Sequence, residues 1–180
     1  MRKVVVSEFV SLDGVMEDPM WTAPFFGEEQ QRCKLEELLN ADTLVLGRVT
    51  YEAFAAAWPS LTDEQGFAAR MNSLPKFVVS NTLQELAWNN STLIQDNIAE
   101  EIAALKHQPG EDILVYGSGQ LVQSLLQQGV IDEFRLMTFP VVLGSGKKLF
   151  PEGSMATLKL VDTTCFSTGA IELVYHPQQM

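Results

Sequence analysis

A chain of 180 residues, 46% apolar and 19% charged, has the composition of a single globular domain, 1–180, with material for a substantial core. A net charge of −11 and a pI near 4.5 exclude the basic surface that nucleic acid or an acidic membrane requires. No apolar run reaches membrane-spanning length, and Met1-Arg2-Lys3 leads into a strand pattern without a signal-peptide cleavage region, so the expected setting is the cytoplasm.

Val4 to Ser11 reads as a strand, closed by the turn Ser11-Leu12-Asp13-Gly14. Glu17-Asp18-Pro19-Met20-Trp21 follows as an irregular loop. Gly27 to Asn40 reads as a helix, with Leu35, Leu38 and Leu39 turned inward and Arg32, Lys34, Glu36 and Glu37 on its solvated side. Thr43 to Leu46 is a buried strand, and Gly47-Arg48-Val49-Thr50-Tyr51-Glu52 opens a helix that runs to about Ala57. Thr62 to Met71 is a weaker helix, with Thr62-Asp63-Glu64-Gln65 shaped like a capping box.

Lys76 to Ser80 is the next strand, ending in the turn Asn81-Thr82, and Thr92 to Gln95 is another. Asn97 with Glu100 caps a helix whose Ile98, Ile102 and Leu105 share a face. Ile113 to Tyr116 is wholly apolar, as in a strand buried on both faces. Gly117, Ser118 and Gly119 break it, and a helix follows with Leu121, Val122, Leu125 and Leu126 on one side and Gly129 at its C-cap. Glu133 to Leu143 reads as one long strand. Leu158 to Phe166 and Ala170 to Tyr175 form a hairpin through Ser167-Thr168-Gly169. Strands alternating with helices and closed by a hairpin predict a mainly parallel sheet covered on both faces, with antiparallel strands at the C-terminal end.

The strand–glycine–helix stretch around Gly117-Ser118-Gly119 admits two readings of equal weight. It is a phosphate cradle, using the free N–H groups and dipole of a helix start, or a tight turn whose glycines serve geometry alone. It is not the common dinucleotide fingerprint, because Val122 stands at the third glycine position. Gly144-Ser145-Gly146-Lys147-Lys148 is not a P-loop, since Val141 and Lys148 occupy positions that require Gly and Ser or Thr. Cys33 and Cys165 read as two buried free thiols, and with His107 and His176 distant from them no metal-ligand spacing exists.

Leu44 to Glu52 resembles the strand–G-R-x-T–helix element of dihydrofolate reductase. Val78 to Thr82 resembles the next strand of that fold with its adenosine-side turn, and Val115 to Gly119 its diphosphate-binding turn. Ser11-Leu12-Asp13-Gly14 and Pro140 to Gly146 narrow the resemblance to the reductase domain of bacterial riboflavin biosynthesis and its stand-alone relatives, over Val4 to about Tyr175. The resemblance implies a three-layer dihydrofolate-reductase-like α/β fold, an NADPH-dependent reductase, a small-molecule substrate and a homodimer paired through the apolar strand Phe134 to Leu143 and the C-terminal hairpin. It assigns Gly47, Arg48 and Thr50, then Ser80, Asn81 and Thr82, then Gly117, Ser118, Gly119, Gln120, Leu121 and Val122 to the cofactor. Asp13, Gly14 and Trp21 would line the substrate pocket, with Asp13 the candidate to carry the proton and Glu17 and Asp18 behind it. Two positions depart from the pattern: Gln30 stands near the pterin-binding acid of dihydrofolate reductase, and Val115 where dedicated phosphoribosylaminouracil reductases carry an acid. For Arg48 the competing role is a surface ion pair with Glu52.

Overall fold

The computed structural model describes residues 1–178. One eight-stranded sheet, ordered β4-β3-β2-β5-β1-β6-β8-β7, runs through it. The strands are β1 (Val4–Ser11), β2 (Ala41–Gly47), β3 (Lys76–Val79), β4 (Ser91–Ile94), β5 (Asp112–Tyr116), β6 (Glu133–Phe139), β7 (Thr157–Cys165) and β8 (Ile171–Gln178). Those from β4 to β6 are mutually parallel, and β8 and β7 join antiparallel. The α-helices are α1 (Glu28–Leu39), α2 (Arg48–Ala57), α3 (Phe67–Ser73), α4 (Ile98–His107) and α5 (Gly119–Gln127). This is the expected three-layer dihydrofolate-reductase-like architecture.

Strand alternation distributes the core. Val4, Val6 and Val10 of β1 pack with Ile102, Leu105, Leu121, Val122 and Leu125, under α4 and α5. Val5 packs on the other face with Leu38, Tyr51 and Met71, under α1, α2 and α3. A third group around Met137, Phe139 and Phe166 joins Phe9, Trp21 and Phe26 beside the C-terminal strands.

Several local expectations are corrected. The helix expected from Thr62 begins only at Phe67: Gly66, at φ +83°, turns the chain, and the Asp63 carboxylate receives the Phe67 and Ala68 N–H groups from outside the helix. Asn97 makes no side-chain cap and sits in the left-handed region at φ 52°. The β6 ladder stops at Phe139, just before Pro140, and β6 lies inside the sheet between β1 and β8, so it offers no pairing edge. Cys165 is exposed rather than buried. On α1 the assignment of faces is partly reversed. Leu39 is exposed, whereas Lys34 and Glu37 are buried.

Candidate functional site

β1 connects through α1 over one face of the sheet, and its neighbour β5 connects through α5 over the other. Adjacent strands that leave to opposite faces open a crevice at their carboxyl ends, where α/β sheets bind ligands. Here the crevice is also a notch. The β1–β5 ladder ends at Ser7↔Tyr116, while β1 stays paired with β6 as far as Ser11↔Phe139.

Two helix starts meet at this edge. The Gly47 N–H, at the start of α2, donates to the Ser118 hydroxyl at 2.8 Å, and the Ser118 N–H donates to Thr50 Oγ1 at 2.9 Å. The Ser118 hydroxyl itself donates to the Tyr116 carbonyl. Neither α2 nor α5 has a side-chain cap, so their first-turn N–H groups have no side-chain acceptor. The glycines between them are demanded by the chain's own packing. A Cβ on Gly117, at φ +55°, would lie 2.7 Å from Thr50 Oγ1, and one on Gly119 would lie 2.7 Å from Met16 Sδ. The geometric role of the glycines is therefore real, and it leaves the helix dipoles open to an anion.

The other residues expected to meet a cofactor sit at or near the same edge. Arg48 is exposed and forms the ion pair with Glu52, 2.8 Å apart. Ser80 is buried and accepts the Thr82 and Leu83 N–H groups, which shapes the turn and leaves Asn81 and Thr82 exposed beside it. Gln120 is exposed. Leu121 and Val122 bury their side chains in the core, so only their main chain can face a ligand.

Beyond the notch the Asp13 loop is zipped to the segment after β6. Leu12 donates to the Val141 carbonyl, Met16 to the Lys147 carbonyl, and Leu149 to the Gly14 carbonyl. Asp13 fastens the join: its carboxylate receives the Leu143 N–H at 3.1 Å, the Gly144 N–H at 2.8 Å and the Ser11 hydroxyl at 2.6 Å. These bonds, the Ser11 hydroxyl first, hold its carboxyl down at about 2. Its observed part is to fasten the Asp13 loop to the segment after β6. Gly14 sits at φ +83° with open space where a side chain would be. Glu17, Asp18 and Trp21, with Val15, Leu143, Ser145 and Gly146, line a cleft of about 580 Å³. Trp21 is fixed over it by an edge-on contact with Phe139 at 5.8 Å and by its indole N–H on the Glu17 carbonyl.

A buried polar group lies beneath the notch. Lys34 donates to the Ser7 hydroxyl and pairs with Glu37, whose Oε1 also receives the Tyr116 hydroxyl at 3.1 Å. The Lys34 ammonium lies 5.0 Å from the centre of the Tyr116 ring and 5.4 Å from that of Phe9. Burial, then the Glu37 charge, raises the Tyr116 hydroxyl well above its ordinary value. Cys33 donates to Glu172 at 3.2 Å, and burial pushes its thiol up to about 12, which leaves it inert. The one signal for this group was Ser7-Glu8 interrupting the apolar run of β1. Gln30 is buried and structural: its Oε1 accepts the Gly27 N–H, and its amide donates to Thr168.

Comparison with known proteins agrees with this architecture. The uncharacterized protein YyaP of Bacillus subtilis (strain 168) is 34% identical over 179 residues, spanning 97% of this chain and 95% of that one. A Shewanella sp. PV-4 protein named as a candidate for riboflavin biosynthesis has a crystal structure that superposes with a TM-score of 0.77, at 24% identity, over 98% of this chain and 99% of that one. The Thermotoga maritima diaminohydroxyphosphoribosylaminopyrimidine deaminase/5-amino-6-(5-phosphoribosylamino)uracil reductase superposes at 0.68 and 15% identity, with 98% of this chain covering 57% of that one. The family model for the RibD C-terminal domain matches residues 2–171, nearly the length of the sheet and its helices, and the chain belongs to that family.

Proposed function

We propose that the protein is an NADPH-dependent reductase that passes hydride to a small heterocyclic or carbonyl substrate, as its resemblance to 5-amino-6-(5-phosphoribosylamino)uracil reductase implies. The observation that carries this reading is the pair of uncapped helix starts that Ser118 fastens together at the crevice. They offer main-chain donors and two positive dipole ends to a diphosphate. This matters in a chain of net charge −11, which cannot attract an anion by bulk charge. Arg48, exposed at the α2 start, can swing from Glu52 to a phosphate. The cofactor would supply the hydride. The chain would align the substrate against it at the carboxyl ends of β1 and β5 and keep water out. Folate or pteridine reduction is the weaker variant, because Gln30 is committed to the α1 cap and to Thr168.

The rival reading is a nucleotide-binding protein without turnover, favoured by Gln30 and Val115 standing where related reductases carry an acid. Calorimetry with NADPH, followed by NADPH consumption with a panel of aminopyrimidines and pterins, separates the two. Binding with consumption supports the reductase, and binding without consumption supports the rival. Absence of NADPH binding at millimolar concentration removes both.

We further propose a cytoplasmic homodimer. No helix among the described residues is long and apolar enough to cross a membrane. β7 is one of the two edges of the sheet, opposite β4, and Leu160, Val161 and Ile171 of the hairpin expose apolar surface. An edge of this kind invites pairing with a second copy. Sedimentation that stays monomeric at all concentrations would refute the dimer.

A further inference from the structure

Glu8 is the first residue of β1 beyond the β5 ladder, level with the turn at Gly117, so it stands at the notch. Alternation puts its side chain on the face of Val6 and Val10, toward α5, whose uncapped start lies across the turn. The residue is only 5% exposed, and neither carboxyl oxygen takes a hydrogen bond from any described residue; Oε1 is fully enclosed. Native proteins seldom leave a buried carboxyl unpartnered, since burial without a hydrogen bond is costly. The neighbouring acids are employed otherwise. Glu37 is bonded through Oε1 to Lys34 and Tyr116, with Oε2 buried and unbonded, and Asp13 is bonded to the Leu143 and Gly144 N–H groups.

We propose that Glu8 is the acid of the reaction: its carboxyl, unbonded at the notch between β1 and β5, protonates the heteroatom beside the carbon that receives hydride. The inference rests on the reductase reading above. Hydride from a dihydronicotinamide forms the new C–H bond on a C=N or C=O carbon, and the π pair moves onto nitrogen or oxygen. That atom takes the Glu8 proton, forming N–H or O–H as the carboxyl O–H breaks. The carboxylate is reprotonated from water after product leaves. The electrostatics suit the role. Burial raises Glu8 well above the ordinary carboxylate range; the ammonium of Lys34, on α1 over the other face of the sheet, opposes that, and the carboxylate of Glu37, also on α1, adds to it. A neutral acid also avoids repelling a diphosphate held at the adjoining turns.

The test pairs infrared spectroscopy of the full chain with kinetics of Glu8→Gln and Glu8→Asp. At neutral pH the wild type should show the carbonyl stretch of a protonated carboxyl, and Glu8→Gln should lose it. With any panel member that the wild type reduces, Glu8→Gln should lower kcat about 100-fold, as removal of general-acid help does. Its NADPH affinity and melting temperature should hold, and Glu8→Asp should recover part of the rate. The wild-type kcat should fall as pH rises through the Glu8 titration seen in the infrared. A Glu8 ionised at neutral pH, or a Glu8→Gln enzyme that keeps its turnover and pH profile, overturns the proposal and leaves the reductase reading intact. If NADPH is never bound or consumed, the reductase reading fails and the proposal with it, whatever the infrared shows.

Discussion

Ser118 and Gly47 are 71 residues apart, yet the Gly47 N–H reaches the Ser118 hydroxyl at 2.8 Å. With the return bond from the Ser118 N–H to Thr50, this makes the starts of α2 and α5 a single rigid ledge. Ser118→Ala keeps the size of the turn but leaves the Gly47 N–H unpaired. The expected loss is about 1–3 kcal/mol of stability. NADPH affinity should fall about tenfold as the two helix starts separate. Urea denaturation and calorimetry read the two effects. A variant as stable and as tightly bound as the wild type would dissolve the ledge.

Arg48→Ala should weaken NADPH more than NADH, because only NADPH carries the additional phosphate. A charge-assisted bond of this kind is worth about 1.5–3 kcal/mol, or tenfold and more in affinity. Its bond to Glu52 is an exposed i,i+4 pair, so the melting temperature should barely move. Equal losses for the two cofactors would assign Arg48 to some other contact.

The Asp13 carboxylate fastens its loop to the segment after β6. Asp13→Asn presents one amide nitrogen where a carboxylate oxygen now receives a backbone N–H, so the join to Leu143 and Gly144 should loosen. Faster amide exchange at those two residues is the direct readout. Because its folded carboxyl lies at about 2, below the 3.8 of a free aspartate, its contribution is complete above 3.8 and is lost as pH falls through 2. The acid-unfolding curves of wild type and Asp13→Asn should therefore converge at the acid end of that window. Curves that stay parallel throughout it would deny Asp13 this role.

Lys34 and Glu37 form a buried pair, with side chains 7% and 2% exposed. Lys34→Met strands the Glu37 charge and should cost about 3–5 kcal/mol in urea denaturation. Adding Glu37→Leu should recover most of that loss, since the isolated charge and not the missing bond carries the cost. Strictly additive losses in the double variant would show that the two residues do not act as a pair.

The residues of β1, β2 and β5 carry their apolar runs and glycine punctuation in the sequence. The parallel sheet, the two strand–glycine–helix turns and the closing hairpin were therefore legible, because local periodicity and turn chemistry fix them. Trp21 as a lining residue of a pocket was legible through resemblance. The roles of Asp13, Lys34, Glu37 and Glu8 were not. Charged residues on a helix ordinarily face water, and an Asp-Gly pair ordinarily serves its own turn. Lys34 and Glu37 are buried because Ser7 and Tyr116, on two different strands, receive them from across the α1–sheet interface. Asp13 is held because the segment after β6, 130 residues away, brings two free N–H groups to it. Local pattern determined which elements form. The packing of distant segments decided which polar groups find partners and which, like Glu8, stay free, because hydrogen bonding and desolvation depend on what tertiary contact places beside a group and not on its neighbours in the chain.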